Sequence, residues 1–308
     1  MSANTEKTPI MDKKSSQIIP KDLYKLAQID NIVFDLDGTL LTSDHEISLR
    51  TKAFIDWLQG LEKPKKFIFC TGRPWYFIKK YYYQVKPDYP VISCNGSLIY
   101  DFKKNEVVFK KTFLPEKVGK IFEILLKYQV VFLVYTTTKM LAFSRKGQKC
   151  SWFTYLRSQN KNFSKAEKLP LTFYDYQELT KKELEKLDVV KFLLIKIDSD
   201  PKLFQKASSE LEKIEDIYLV QSQEKVIDIM SQGSNKGEGL KFLAQNYQLN
   251  LGRSIVFGDA KNDLPMFAIA KYSVAMGQAD QSLKEVATFI TKSNDQDGIP
   301  EFLAKCYD

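Results

Sequence analysis

The chain has 308 residues, 44% of them hydrophobic and 27% charged, with a net charge of +8. That is the composition of a soluble globular chain long enough for two domains, and no apolar run approaches the ~18 residues that cross a bilayer. A single histidine, His45, excludes multi-histidine metal sites, and four scattered cysteines without a C-x-x-C pair exclude zinc ribbons and thioredoxin-type chemistry.

Cys70, Cys94 and Cys150 are followed six residues on by Tyr76, Tyr100 and Leu156, so the arginine of a cysteine phosphatase is missing. The thiols, with Cys306, read as buried and reduced. The lysines are spread along the whole chain. The charge therefore reads as solvated surface with mild attraction for small anions, and no nucleic-acid partner is expected.

Residues 1–25 are polar, expected to be partly disordered, and lack the apolar centre of a secretory signal, which points to a cytoplasmic protein with no membrane partner. Residues 31–35 (NIVFD) form a buried strand, Ser48 caps a helix running to Gln59, 66–70 (KFIFC) is a second strand, Pro74 starts a helix, and 91–93 is a third strand. This β-α-β-α-β rhythm predicts a parallel, doubly wound α/β sheet. Then the rhythm changes. Residues 98–100 and 107–110 flank a turn, 115–128 is an amphipathic helix, and 130–135 and 140–144 are strands. Residues 145–176 are polar and aromatic and give no clear assignment. Thr180 and Glu183 form a capping box, followed by a strand at 189–197, a helix at 201–214 and a strand at 217–221. The first rhythm resumes near Val226 and runs to the end. The fold class is an α/β core, 26–102 plus 229–308, interrupted by an inserted α+β domain at 103–228.

Four short segments carry the chemistry. Asp35-Leu36-Asp37-Gly38-Thr39 follows the first strand, where ligands bind in open parallel sheets. Its two carboxylates repel unless a proton or a hard cation such as Mg²⁺ intervenes, and Gly38 lets the backbone turn. Thr71-Gly72-Arg73 follows the second strand and offers a hydroxyl, amides and a charge to phosphate oxygens. Lys236 opens a helix. Asp259 and Asp263, four residues apart around Asn262, follow a later strand and suit one cation, although helix capping by Asp259 or Asn262 accounts for the same spacing. Singly these are ordinary turns and caps. Jointly they supply a nucleophile, an acid/base, metal ligands, a hydroxyl and a cation.

On DLDGTLL (35–41), CTGRP (70–74), CNGSLIY (94–100), SNKGEGL (234–240), GDAKNDLPMF (258–267), VAMGQA (274–279) and SNDQDGIPEFL (293–303), the chain resembles the haloacid dehalogenase superfamily, in particular the Cof-type phosphatases with a C2B cap. The resemblance covers nearly all of 30–308. It implies that Asp35 is the nucleophile and Asp37 the general acid/base, and that Thr71 and Lys236 complete the catalytic set. Thr71, Gly72, Arg73, Asn262 and Lys236 would hold substrate. Asp35, the Asp37 backbone and Asp259 would ligate Mg²⁺, with Asp263 supporting them. Gln278 departs from the asparagine common in the family. Asp37 is expected to have a raised pKa, so that it can protonate a leaving oxygen.

Only 33 residues separate Asp37 from Thr71, against 164 between Thr71 and Lys236, so the cap lies in the second interval. Within it Trp152, Phe153 and Tyr155 are read as cap core, with substrate contact as the alternative. The expected function is Mg²⁺-dependent hydrolysis of a small phosphorylated metabolite, a sugar phosphate or phosphorylated cofactor, through an aspartyl-phosphate. A phosphomutase or other phosphotransferase and a non-catalytic binding protein are the alternatives. The sequence does not choose between monomer and homodimer.

Overall fold

The computed structural model describes residues 28–165 and 167–305. The extension at 1–25 and Cys306 lie outside them.

The first strand, β1 (Asn31–Phe34), is buried at every position. Helix α1 (Leu49–Gln59) follows, with the Ser48 hydroxyl accepting from the Thr51 amide as its cap. Strand β2 (Lys66–Phe69) pairs in parallel with β1. The chain then makes a short 3₁₀ turn after Pro74 before α2 (Lys79–Val85). Strand β3 (Val91–Ser93) does not join β1 and β2 as the rhythm implied. It touches β2 only at the Cys70–Ile92 bridge and pairs antiparallel with β4 (Leu98–Asp101), which pairs with β5 (Glu106–Lys110). The left-handed backbone of Asn95 turns the chain back on itself there, so β3 is consumed by a hairpin.

Helix α3 (Pro115–Lys127) leads into a second sheet. Its strands are β6 (Phe132–Thr136), β7 (Met140–Ser144), β8 (Leu171–Asp175), β9 (Val189–Ile195), β10 (Ile217–Gln223) and β11 (Val226–Ser231), in the order β10-β11-β9-β6-β7-β8. Between them run α4 (Ser151–Asn162), α5 (Lys181–Glu185, with the predicted Thr180/Glu183 capping box) and α6 (Pro201–Leu211). Segment 145–176 thus contains α4 and β8, which the sequence left unassigned. Strand β11 contains the expected boundary at 228/229 and pairs along its length with β9 and β10.

The chain returns through α7 (Lys236–Tyr247), β12 (Ser254–Gly258), α8 (Leu264–Phe267), β13 (Tyr272–Ala275), α9 (Gln281–Val286), β14 (Phe289–Ile290) and α10 (Gly298–Ala304). The chain reaches the short α8 through a 3₁₀ turn at Lys261–Asp263, where Asp263 turns its carboxylate back to the amides of 259 and 260. The first sheet is all parallel, in the order β14-β13-β12-β1-β2. From β1 the chain goes one way to β2 and later returns on the other side to β12, the middle strand. This reversal opens a crevice at the carboxyl ends of β1 and β12.

Buried aliphatic and aromatic residues fill three clusters. One surrounds the parallel sheet, and two belong mainly to the inserted sheet. Phe34 stacks on Phe67 and meets Phe257, tying β1, β2 and β12 together. Among the described residues no helix is long and apolar enough to cross a membrane.

Candidate active site

The ends of β1 and β12 and the start of α7 place four charges in contact. The Asp35 amide donates to the Phe257 carbonyl at 3.1 Å, so its side chain leaves β1 directly into the crevice. Lys236, the first residue of α7, is fully buried. Its Nζ donates to Asp35 Oδ1 at 2.5 Å and to Asp263 Oδ1 at 2.6 Å. The other Asp263 oxygen accepts from the amides of Asp259 and Ala260 at 2.9 and 3.1 Å. Asp263 therefore stiffens the loop after β12. Neither Asp259 nor Asn262 caps a helix by its side chain.

Asp259 lies against Gly38. A Cβ at Gly38 would come within 2.2 Å of Asp259 Oδ2, and the backbone there is left-handed (φ +73°). Only glycine meets both conditions. Gly258 is tight for the same reason: its missing Cβ would meet the Asp263 carboxylate at 2.6–2.7 Å. Gln278, the residue that departs from the family pattern, donates to the Gly38 carbonyl at 2.5 Å and accepts from Asn294, so it braces this turn.

One oxygen each of Asp35, Asp259 and Asp263 lies within 4.8 Å of the others, close enough to hold a metal ion. Their charges oppose only one lysine, leaving an excess of two negatives in a buried site. Burial pushes the Asp35 carboxyl up to about 7, against the pull of Lys236 and with repulsion from Asp263 and Asp37. Asp259 is pushed up by burial and then by Asp35 and Asp263. Burial opposes the charge on Lys236, but Asp263 and Asp35 hold it protonated. A divalent cation fits this donor set and this charge.

Asp37 faces elsewhere. Arg73 grips it with two nitrogens, Nε to Oδ2 at 2.7 Å and NH2 to Oδ1 at 2.5 Å, and His45 Nδ1 lies 3.5 Å from Oδ1. Burial raises the Asp37 pKa, but the Arg73 charge and the hydrogen bonds from His45 and Arg73 outweigh it and hold the carboxyl well below the usual range. The expected raised pKa is thus overturned, because a bidentate guanidinium stabilises the ionised form. Arg73 lines the same cavity as Asp35, yet its fork is committed to Asp37.

Thr71 is fully buried and its Oγ accepts from the Arg73 amide at 3.1 Å. Gly72 lines the cavity and its carbonyl accepts from Lys191 Nζ, 2.9 Å away on β9 of the second sheet. Lys191 also pairs with Asp228 of β11 at 2.9 Å. Asp228 accepts from Asn95 at 2.7 Å, and Asn95 accepts from Asn262 at 3.0 Å. This polar chain runs from the inserted sheet to both loops of the crevice. Sequence reasoning assigned no role to His45, Asn95, Lys191 or Asp228. Only Asn95 left a signal, inside the CNGSLIY segment.

The crevice opens into a cavity of about 550 Å³, roofed by the inserted region. Phe153 is core, as expected; Trp152 and Tyr155 pack against the same core and also line the cavity, so the two readings of them hold together. Helix α4 spans the two environments and turns one aromatic inward and two toward the opening.

A family model described as haloacid dehalogenase-like hydrolase matches residues 32–303. The chain is 35% identical to a Mycoplasma pneumoniae protein named "Putative phosphatase", over 91% of this chain and 98% of that protein. It is 29% identical to a Bacillus subtilis protein named 5-amino-6-(5-phospho-D-ribitylamino)uracil phosphatase, over 88% of this chain and 96% of that one. Among solved structures, a haloacid dehalogenase-like hydrolase from Bacteroides thetaiotaomicron superposes with a TM-score of 0.73 at 25% identity, over 90% of this chain and 99% of the other.

Proposed function

The chain belongs to the haloacid dehalogenase-like hydrolases of the Cof type, as a phosphatase, and from that premise we propose that it hydrolyses a small phosphorylated metabolite through an aspartyl-phosphate on Asp35, with Mg²⁺. The observation that carries the reading is Asp35 itself. It is held by Lys236 at the mouth of a cavity, beside two further carboxylates.

An Asp35 oxygen attacks phosphorus, forming the acyl phosphate as the ester P–O bond breaks. The leaving oxygen takes a proton from Asp37, which picks that proton up from solvent once entering substrate parts it from Arg73. Water, losing a proton to Asp37, then attacks phosphorus and releases phosphate and free Asp35. Arg73 keeps Asp37 ionised, which suits its task as base in the second step. To act as acid in the first, Asp37 must loosen its hold on Arg73 as substrate enters. Lys236 orients Asp35 and offsets charge on the phosphoryl oxygens, with the Thr71 hydroxyl and the Gly72 and Asn262 region beside it. Asp35, Asp259 and the Asp37 backbone, with Asp263 behind them, would hold Mg²⁺, which when bound would supply further charge compensation for the phosphoryl group. Residues 28–102 and 232–305 are the catalytic domain of this reading, and 103–231, with the whole of β11, the cap that shields the site from water.

The test is phosphate release from a panel of phosphorylated metabolites, with Mg²⁺ or chelator, by wild type and Asp35→Asn. The expected result is turnover by wild type in Mg²⁺, and acid-stable loading of labelled phosphate onto wild type but not Asp35→Asn. Full turnover by Asp35→Asn would sink the reading.

A further inference from the structure

We propose that Asp228 and Asn95 are positioning residues that fix which way round the Asn262 amide lies, so that Asn262 offers N–H and not oxygen to the phosphoryl group. The inserted region thereby sets the polarity of the phosphate site when it seats on it. The proposal deepens the phosphatase reading and rests on it.

The contacts begin at a group with no choice of role. The Lys191 ammonium carries donors only. It pairs with Asp228 Oδ1 at 2.9 Å, and both side chains are buried. Asp228 Oδ2 accepts from Asn95 Nδ2 at 2.7 Å. A carboxylate paired with an ammonium can only accept, so Asn95 must turn its NH₂ toward it. The Asn95 oxygen is left facing the crevice, where it accepts from Asn262 Nδ2 at 3.0 Å. One buried charge pair in the inserted sheet thus orders two amides in succession.

The order is imposed from outside Asn262. Its Oδ1 is buried and meets no donor among the described residues, so Asn95 is what holds the amide this way round. Turned over, it would set its oxygen against the Asn95 oxygen, acceptor against acceptor. Asn95 is also more than a turn residue. Its left-handed backbone (φ 53°) suits glycine as well as asparagine. Yet its side chain is 1% exposed and joins residues 133 and 167 positions away.

The two amides lie at the phosphate site. The Asn95 backbone N–H donates to the Thr71 carbonyl at 3.0 Å, and a Cβ on Gly72 would meet Asn95 Oδ1 at 3.0 Å. Asn262 lines the cavity together with Asp35 and Gly72. The oxygens of a phosphoryl dianion accept hydrogen bonds and give none. An amide that turns N–H to them stabilises their charge, and one that turns its oxygen repels it. When the inserted region lifts, Asp228 leaves Asn95 and both amides are free to turn over. The order returns only with the roof in place, which ties the electrostatics of the site to closure.

The test is a double-mutant cycle on orthovanadate binding, read by calorimetry on the full chain in magnesium chloride. Asn262→Ala is expected to weaken binding about tenfold or more, as loss of a hydrogen bond to a charged group implies. Asp228→Asn should weaken it about tenfold, because the new amide keeps its oxygen for Lys191 and turns NH₂ toward Asn95, which reverses both amides beyond it. Asp228→Glu keeps the carboxylate and should stay within about threefold of wild type. The decisive protein combines Asp228→Asn with Asn262→Ala and should bind within about twofold of Asn262→Ala alone. A residue that only seats the inserted region would still cost its full factor there. Asn95→Gly keeps the left-handed turn and should match Asp228→Asn, so the cycle stands even if Asp228→Asn does not fold. Additive losses, or unchanged affinity in Asn95→Gly, overturn the proposal. Phosphate release by wild type is scored separately. Non-additive losses without any turnover would fail the phosphatase reading alone, and turnover with additive losses would fail the positioning role alone.

Discussion

Lys236 and Lys191 are both buried and both paired with aspartate; Lys191 lines the cavity, and Lys236 lies behind Asp35, which lines it too. Lys236 opens α7 beside the parallel sheet and holds Asp35 and Asp263, the groups proposed to work on the phosphate. Lys191 belongs to the inserted sheet and holds Asp228 and a backbone carbonyl, groups that join the two sheets. Burial is equally costly for both. In the proposed mechanism one lysine offsets it by charge compensation during the reaction; the other offsets it by fixing how the inserted sheet sits on the loop at Gly72. A buried ion pair at a cavity is not by itself evidence of chemistry; what its partners face decides.

The largest effect that sharpens the contrast is Asp35→Asn, which should lower kcat by about 10³-fold or more while the protein stays folded, read by phosphate release and circular dichroism. Lys236→Met comes next. It leaves Asp35 and Asp263 buried without their cation, and should cost about 3–5 kcal/mol of stability along with most turnover. Added Mg²⁺ should recover part of the stability in thermal unfolding. Lys191→Met should cost similar stability, since Asp228 is equally buried, but should lower kcat by about tenfold at most. If it abolished turnover in a protein of unchanged melting temperature, the two lysines would not differ as described.

Arg73→Gln tests the remaining charge pair. Arg73 depresses the Asp37 pKa, so removing it lets that pKa rise. The acid limb of the pH–rate profile should move to higher pH, with kcat at neutral pH reduced about tenfold. An unmoved limb would separate Asp37 from the rate. The smallest effect is on stability against pH in chelator. Asp35 is raised from 3.8 to about 7 in the folded chain, so its contribution is present below 3.8 and is lost as pH rises through about 7. Metal-free protein should melt a few degrees lower at pH 8 than at pH 5.5. Asp35→Asn should flatten that difference and Mg²⁺ should shrink it.

The parallel half was legible because each functional group follows a short buried strand within a few residues. Asp35, Thr71 and Asp259 could be read as a strand followed by a turn, and Lys236 as the start of a helix. The inserted half was not. The Asn95–Asp228 contact joins residues 133 apart, and Lys191–Gly72 joins residues 119 apart, with nothing local to mark either. Helix α4 hid for another reason. It has core on one face and cavity on another, so aromatics appear on both and the amphipathic period blurs. Strand β11 was assigned to the returning parallel half because it leads straight into Ser234-Asn235-Lys236, although its hydrogen bonds are to β9 and β10. The direction of the Asp37 pKa was misread because its guanidinium partner was assigned to phosphate.

The bonds that seat the inserted region on the phosphate loop also set a clock. Trp75 and Tyr76 donate to the carbonyls of Thr137 and Lys139, each at 2.9 Å, beside the Lys191–Gly72 and Asn95–Asp228 bonds. In the proposed reaction phosphate is made beneath this roof, and its release is expected to require those bonds to part and an ammonium to be bared to water. The slowest event in a turnover would then fall after the chemistry, in a motion during which no bond of the substrate changes. A kcat that falls with added viscogen and ignores the quality of the leaving group is the expected outcome.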